Sequence, residues 1–308
     1  MSNRRTFIKQ SLLGGLSFAG LNLLPFNIFA FNKKKYTKIT ILHTNDVHSH
    51  VEPFPENDPK YPGLGGAARR AAIIQQIRSE EKNVLLVDAG DIFQGTPYFN
   101  KYKGEIDMKL MSLMQYDVAT IGNHDFDNGI DGLNNMLPYA HFPFVNVNYD
   151  FSNTVLKNKI HSYRTFLKDG VKIGVFGLGV ELDGLVDKSL YKETVYNDPV
   201  PLANKIAKQL KEEEKCHLII CLSHLGYEYK TDKVSDLTLA KSTENIDLIV
   251  GGHTHTFLDK PVEVKNLANK TTIINQVGWA GINLGRIDYF IPSNKKDYAL
   301  KSENITIK

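Results

Sequence analysis

With 308 residues, 42% of them hydrophobic and 23% charged, the chain has an ordinary globular composition and enough length to bury a sizeable core. Its formal charge of +3 is carried entirely by Arg4, Arg5 and Lys9 within residues 1–30, which hold no acid. The remainder is near neutral, so charge gives no argument for nucleic-acid binding.

In chain order, Asn3–Arg4–Arg5–Thr6–Phe7–Ile8–Lys9 precedes an apolar, glycine-containing run from Leu12 to Phe31. It resembles a twin-arginine export signal, with cleavage expected near Ala30 and a periplasmic or otherwise exported location. If residues 1–31 were retained they would act as a membrane anchor, although Asn22, Pro25 and Asn27 interrupt the run. A folded domain is expected over 37–308.

Ile39–Leu42 reads as a short strand leading into His43-Thr-Asn-Asp46-Val-His48-Ser-His50, and a proline-rich loop, Val51–Gly66, follows. Ala67–Glu81 has the apolar spacing of a helix, with Ala71, Ile74 and Ile77 on one face. Val84–Val87 is a buried strand ending in Asp88-Ala-Gly-Asp91, Asp107–Met114 a helix, and Val118–Ile121 a strand that delivers Gly122-Asn-His-Asp-Phe-Asp127. Gly129–Leu137 is expected to be helical, Phe144–Val147 a strand, and Tyr163–Leu167 with Val171–Phe176 a hairpin turning at Lys168–Gly170. An amphipathic helix over Leu202–Glu214 turns Ile206 and Leu210 inward. The strand His217–Leu222 ends in Ser223-His224, Ile246–Val250 ends in Gly-Gly-His253-Thr-His255, and Thr272–Val277 and Ile287–Ile291 close the chain. Cys216 and Cys221, the two cysteines, lie five apart on one expected strand, so they face opposite sides as unbonded core residues.

Strands alternating with helices, several of them uniformly apolar, predict an α/β protein with its sheets covered by helices, as one mixed sheet or two packed together. Ligands of such folds gather beyond the carboxyl ends of strands. The polar groups Asp46/His48, Asp91, Asn123/His124, His224 and His253/His255 all follow such ends. Each has a bland reading: a turn cap, a helix N-cap or a satisfied core histidine. Together they make a cation site of Asp, Asn and His donors, suited to Mn, Zn, Fe or Co rather than to Ca or Mg alone. One bridging aspartate would hold two divalent ions about 3.5–4 Å apart, activating a water against a phosphoryl group. A histidine not needed as a ligand would donate to the phosphoryl or leaving oxygen, held in orientation by a carboxylate nearby.

The order Asp-x-His, Gly-Asp, Gly-Asn-His-Asp, Ser-His and Gly-His-Thr-His resembles the calcineurin-like metallophosphoesterase superfamily. The stretches 42–48, 90–91, 122–127 and 251–255 look like the N-terminal domain of the bacterial 5′-nucleotidase family. The resemblance covers residues 37–292 and implies a four-layer αββα sandwich with two mixed central sheets. Carried onto this chain, it makes Asp46, His48 and His255 ligands of one metal, Asn123, His224 and His253 ligands of the other, and Asp91 the bridge. His124 becomes the transition-state donor and Asp127 its orienting carboxylate. His43, His50, Asp88 and Asp125 are given supporting roles at most, and His141, His161 and His217 none. His255 departs from the glutamine of many 5′-nucleotidases, which bears on metal preference.

The resemblance implies hydrolysis of nucleotide phosphomonoesters. The alternatives are a phosphodiester, nucleotide-sugar or sulfur-ester substrate, or a non-catalytic metal-binding subunit, against which the retained His124 and Asp127 argue. Family 5′-nucleotidases also carry a C-terminal domain that stacks on the base and binds the phosphate. Here a separate chain is expected to supply it, or the domain acts with loose specificity, or its own loops recognise substrate. Val51–Gly66 and Phe93–Lys103 are the candidate loops, with Tyr61, Phe93, Tyr98 and Phe99 as candidate stacking residues.

Overall fold

Period-2 alternation within the apolar runs decides which layer each side chain enters. In the computed structural model, which describes residues 36–294 and 298–308, both faces of the central strands are buried. The leader at residues 1–31 lies outside the described residues. Among the described residues, no helix is long and apolar enough to cross a membrane.

The strands, in chain order, are β1 (Tyr36–Thr44), β2 (Val84–Asp88), β3 (Val118–Ala119), β4 (Tyr149–Asp150), β5 (Tyr163–Lys168), β6 (Val171–Gly179) and β7 (Val195–Tyr196). They continue with β8 (Leu218–His224), β9 (Leu248–Gly251), β10 (Val262–Lys265), β11 (Thr271–Asn275), β12 (Asn283–Pro292) and β13 (Ala299–Thr306). One five-stranded sheet has the order β13-β12-β1-β2-β3; a six-stranded sheet has the order β10-β11-β9-β8-β6-β5. Both are mixed. In the first, β1, β2 and β3 run parallel while β12 and β13 pair antiparallel. In the second, β6, β8, β9 and β11 are parallel, with antiparallel β5 and β10 at its edges.

The helices are α1 (Ala67–Glu80), α2 (Pro97–Tyr102), α3 (Glu105–Leu113), α4 (Gly129–Met136), α5 (Lys188–Tyr191), α6 (Pro199–Glu212) and α7 (Asp236–Ser242). Ile39, Ile41, Leu85 and Val87 of the first sheet meet Ile173, Val175, Leu218, Ile220, Leu222, Leu248 and Val250 of the second in an inter-sheet core. The alternate residues Leu42, Val84 and Leu86 pack with Ile74, Ile77, Met108, Met111, Ile130 and Leu133 of α1, α3 and α4. On the far side, Phe176, Leu178, Ile219, Cys221 and Ile249 pack with Ala203, Ile206, Leu210 and Leu239 of α6 and α7. Three apolar cores separate four layers, the expected αββα sandwich. Each fully buried Leu, Ile or Phe contributes about 1.5–3 kcal/mol relative to exposure.

Several expectations need correction. Phe144–Val147 forms no strand; Phe144 and Val145 make single parallel bridges to Ala119 and His161. Asn146 Oδ1 then accepts from the amides of Asn148 and Tyr149, turning the chain away. Ile287–Ile291 does not close the chain, because β13 follows and pairs with β12 from Asn283 to Phe290. Cys216 precedes β8 and lies in the same helix-side core as Cys221, so the two do not face opposite sides. Both are buried and unbonded. The hairpin turns on Asp169 (φ 46°) and Gly170 (φ 77°), the left-handed pair that a two-residue turn between right-twisted strands requires.

Candidate metal centre

The carboxyl ends of parallel strands from both sheets deliver the candidate ligands. Asp46 and His48 follow β1, Asp91 follows β2, Asn123 follows β3, His224 ends β8, and His253 and His255 follow β9. Asp46, His48 and His255 present donor atoms within 4.8 Å of one another, as do Asp91, His224 and His253. His48 Nε2 lies 3.0 Å from His255 Nε2, and Asp46 Oδ1 lies 3.5 Å from His255 Nε2. Asp91 Oδ2 stands between the groups, 3.1 Å from His224 Nε2 and 3.8 Å from His48 Nε2. Asn123 Oδ1 is 2.8 Å from His253 Nδ1, which brings it to the second group.

A test of fit for a cation comes from His224. Its ring is fully buried, and Nδ1 is hydrogen-bonded to the Ala89 carbonyl at 2.7 Å. Nε2 lies 3.1 Å from Asp91 Oδ2, and no other group hydrogen-bonds it. A buried nitrogen left without a partner costs about 1–3 kcal/mol unless something else binds it. Electrostatics agree. Burial opposes protonation of His224, yet the Asp91 and Asp46 carboxylates beside it hold its pKa up at about 10. Burial likewise pushes Asp91 up, but His224, His48 and His124 outweigh it and hold the carboxyl below its ordinary value. The cavity thus demands positive charge. Oxygen and imidazole donors together fit a first-row divalent ion, with the buried acids supplying the charge.

The backbone is bent to make these approaches. Asp46, His48, Asp91, His253 and His255 all have left-handed φ, between 50° and 72°. That conformation costs an L-residue roughly 1–2 kcal/mol. Side chains that the sequence left in supporting roles or passed over hold it in place. Asp125 accepts from the amides of Asp91, Ile92, Phe93 and Gly122, clamping the β2 and β3 ends together. Asn45 accepts from the Val277 amide and donates to Asp46 Oδ2 at 2.6 Å. Gln276 donates to the Gly252 carbonyl at 2.6 Å and accepts from Thr254 Oγ1 and the Thr256 amide, fixing the His253–His255 loop. Asn45 borders the Asp46 motif, but nothing in sequence marks Gln276.

Asp88 accepts from Thr44 Oγ1 and the Gly90 amide, while burial raises its pKa to about 7. His43, driven to about 3 by burial, is bonded to Asn275 rather than to the centre. His50 stacks on Phe54 with ring centroids 5.0 Å apart. His141, His161 and His217 belong to neither ligand group. Phe93 and Phe99 are buried and cannot stack on a substrate, which removes them from the candidate loop residues.

His124 stands beside the ligands. Its amide donates to Asp91 Oδ1 at 2.8 Å, and its ring meets that of His48 edge-on at 5.3 Å. Nδ1 is 2.8 Å from Asp127 Oδ2, a bond that raises the imidazole pKa against the effect of burial. The ring remains 39% exposed, so Nε2 can reach an incoming group.

Gly122 makes the packing possible. A Cβ there would lie 2.2 Å from Asp91 Oδ1 and 2.7 Å from His224 Cε1. Gly122→Ala is therefore expected to displace the Asp91 carboxylate and destabilise the protein by about 1–3 kcal/mol. Metal stoichiometry by elemental analysis and a thermal melt check this; an alanine variant with normal metal content would refute it.

The profile of the calcineurin-like phosphoesterases matches residues 39–257. The chain is 37% identical over 282 residues to the trifunctional nucleotide phosphoesterase YfkN of Bacillus subtilis, covering 81% of this chain and 18% of that protein. It is 34% identical over 278 residues to a 5′-nucleotidase of Vibrio cholerae, covering 83% and 49%. The structure of a 5′-nucleotidase precursor from Thermus thermophilus superposes with a TM-score of 0.80 at 32% identity, over 88% of this chain and 55% of that one. The chain thus spans less than half the length of both these curated relatives. With the motifs of all five strand ends drawn together by the αββα fold, the chain belongs to the calcineurin-like phosphoesterase family.

Proposed function

We propose that the protein is a dinuclear, metal-dependent phosphohydrolase acting on nucleotide phosphomonoesters. The observation that carries this reading is Asp91 Oδ2 standing between two donor groups, with Oδ1 tied to the amide of the adjacent His124. Asp46, His48 and His255 would hold one divalent ion, Asn123, His224 and His253 the second, and Asp91 both. When bound, such ions lower the pKa of a water and neutralise phosphoryl charge. His124 Nε2 donates a hydrogen bond to the phosphoryl or leaving-group oxygen. Asp127 accepts from Nδ1–H and raises the imidazole pKa, favouring the imidazolium, in which Nε2 also carries a proton to donate.

The nucleotide preference rests on the 5′-nucleotidase and nucleotide phosphoesterase names of the relatives. Manganese- or zinc-loaded protein is expected to release phosphate from nucleoside monophosphates faster than from sugar phosphates or phosphodiesters. A panel assay with phosphate detection decides it. Faster turnover of diesters would move the substrate class, and no turnover of any ester, alone or with a partner chain carrying a second domain, would favour a metal-binding subunit.

Residues 1–31 are proposed as a twin-arginine signal directing the domain of 37–308 out of the cytoplasm, supported by Arg4-Arg5, Phe7 and Lys9 ahead of the apolar run. Membrane attachment follows only if that leader is kept.

A further inference from the structure

A cluster of aromatic rings adjoins the His255 side of the centre. Trp279 stacks parallel on the His255 imidazole, with centroids 5.6 Å apart and an interplanar angle of 4°. Tyr61 meets Trp279 edge-on at 6.1 Å, and its hydroxyl accepts from the indole Nε1 at 3.5 Å. Phe257 lies nearly parallel to Tyr61, 6.0 Å away at 28°. It follows His255 by two residues and rests on the Gly278 backbone, where a Cβ would come within 2.2 Å of its ring. Tyr61 thus lies two ring contacts, and Phe257 three, from a candidate metal ligand.

Tyr61 is firmly placed. Asp58 Oδ1 accepts from the amides of Lys60 and Tyr61 at 2.9 and 2.7 Å, and Pro53 bridges Gly65 across the base of the loop. Phe54 packs on Tyr61 from behind at 5.3 Å. Phe257, in contrast, is 40% exposed, an unusual state for a phenylalanine held so firmly. The Lys60 ammonium lies over the Tyr61 ring, 5.1 Å from its centroid, and brings positive charge to the platform.

We propose that Tyr61 and Phe257, backed by Trp279, form a stacking platform for the aromatic base of the substrate, so that this domain carries base recognition on its own loops. The proposal rests on the phosphohydrolase reading for the identity of the ligand. A nucleotide would suit this arrangement, with its phosphate at the cation site and its flat base on the rings that adjoin His255. The polar atoms of the platform, Trp279 Nε1 and the Tyr61 hydroxyl, face each other. The platform therefore reads the flat face of a base and discriminates little between bases. Stacking on one aromatic side chain changes affinity by about five- to a hundredfold.

Trp279 is the single tryptophan of the chain, so its emission reports on the platform alone. Adenosine added to the full, metal-loaded chain is expected to quench that emission saturably, and ribose is not. Tyr61→Ala and Phe257→Ala should each weaken the adenosine titration at least fivefold. For adenosine monophosphate, kcat/KM should fall at least fivefold, mostly through KM, while kcat/KM for ribose 5-phosphate stays within about twofold. Unchanged turnover of ribose 5-phosphate also shows that the variants fold, and Phe257→Tyr should restore the wild-type values. Parallel losses on both esters, or no effect of adenosine on Trp279, would overturn the platform. If the wild-type chain releases phosphate from neither ester, the phosphomonoester reading fails and the adenosine titration alone decides the platform.

Discussion

His124→Ala is expected to lower kcat by about two to three powers of ten while leaving metal content near normal. His124 belongs to neither donor group, so its loss removes no ligand. What goes is one hydrogen-bond donor aimed at developing charge, and such losses cost about 10²–10³ in rate. Asp127→Asn should show a smaller loss, because an amide still bonds Nδ1 but no longer supports the raised imidazole pKa that keeps a proton on Nε2. Steady-state kinetics with elemental analysis on the same samples separates the two effects. A His124→Ala enzyme of full activity would remove the donor role, and one depleted of metal would make His124 a ligand.

Asp91→Ala should abolish both metal binding and turnover, since a single carboxylate oxygen stands between both donor groups. Its removal also strips the buried His224 of a carboxylate oxygen 3.1 Å from its Nε2. Breaking a buried pair from one side costs about 3–5 kcal/mol, so a fall in melting temperature should accompany the loss of metal. Asp91→Asn separates geometry from charge. Its amide oxygen can still accept from the His124 N–H, preserving the turn, while the bridging anion is gone. Isothermal titration with manganese or zinc should show both variants binding at least a hundredfold more weakly than wild type. Retention of two tight sites in Asp91→Ala would place the bridge elsewhere.

The candidate ligand set was legible because Asp, Asn and His recur immediately after apolar runs, where a strand end needs no such side chain. The layers were legible for a similar reason: β2, β8 and β9 are apolar at consecutive positions, which only a sheet buried on both faces demands. What escaped depends on partners distant in sequence. Gln276 looks like any polar residue after a strand until the fold lays it under the Gly252 carbonyl. β13 carries four polar residues in succession, Lys301 to Asn304, as an edge strand open to water can, so no apolar run announces it. Phe93 and Tyr61 were equal candidates for stacking in sequence. Only packing shows Phe93 buried against Phe99 and Tyr61 placed beside the centre.

The left-handed backbone at Asp46, His48, Asp91, His253 and His255 restricts which amino acids can occupy those positions, independently of cation chemistry. Asp, Asn and His visit that region several times more readily than other side chains, and β-branched residues hardly at all. Of the side chains able to coordinate a hard or borderline cation, Asp and His meet both demands, whereas Glu and Cys meet only one. The alphabet of this centre is therefore set twice, once by the ion and once by the turn of the chain. A replacement at any of the five must pass through the few residues that satisfy the backbone before its coordination chemistry comes into play.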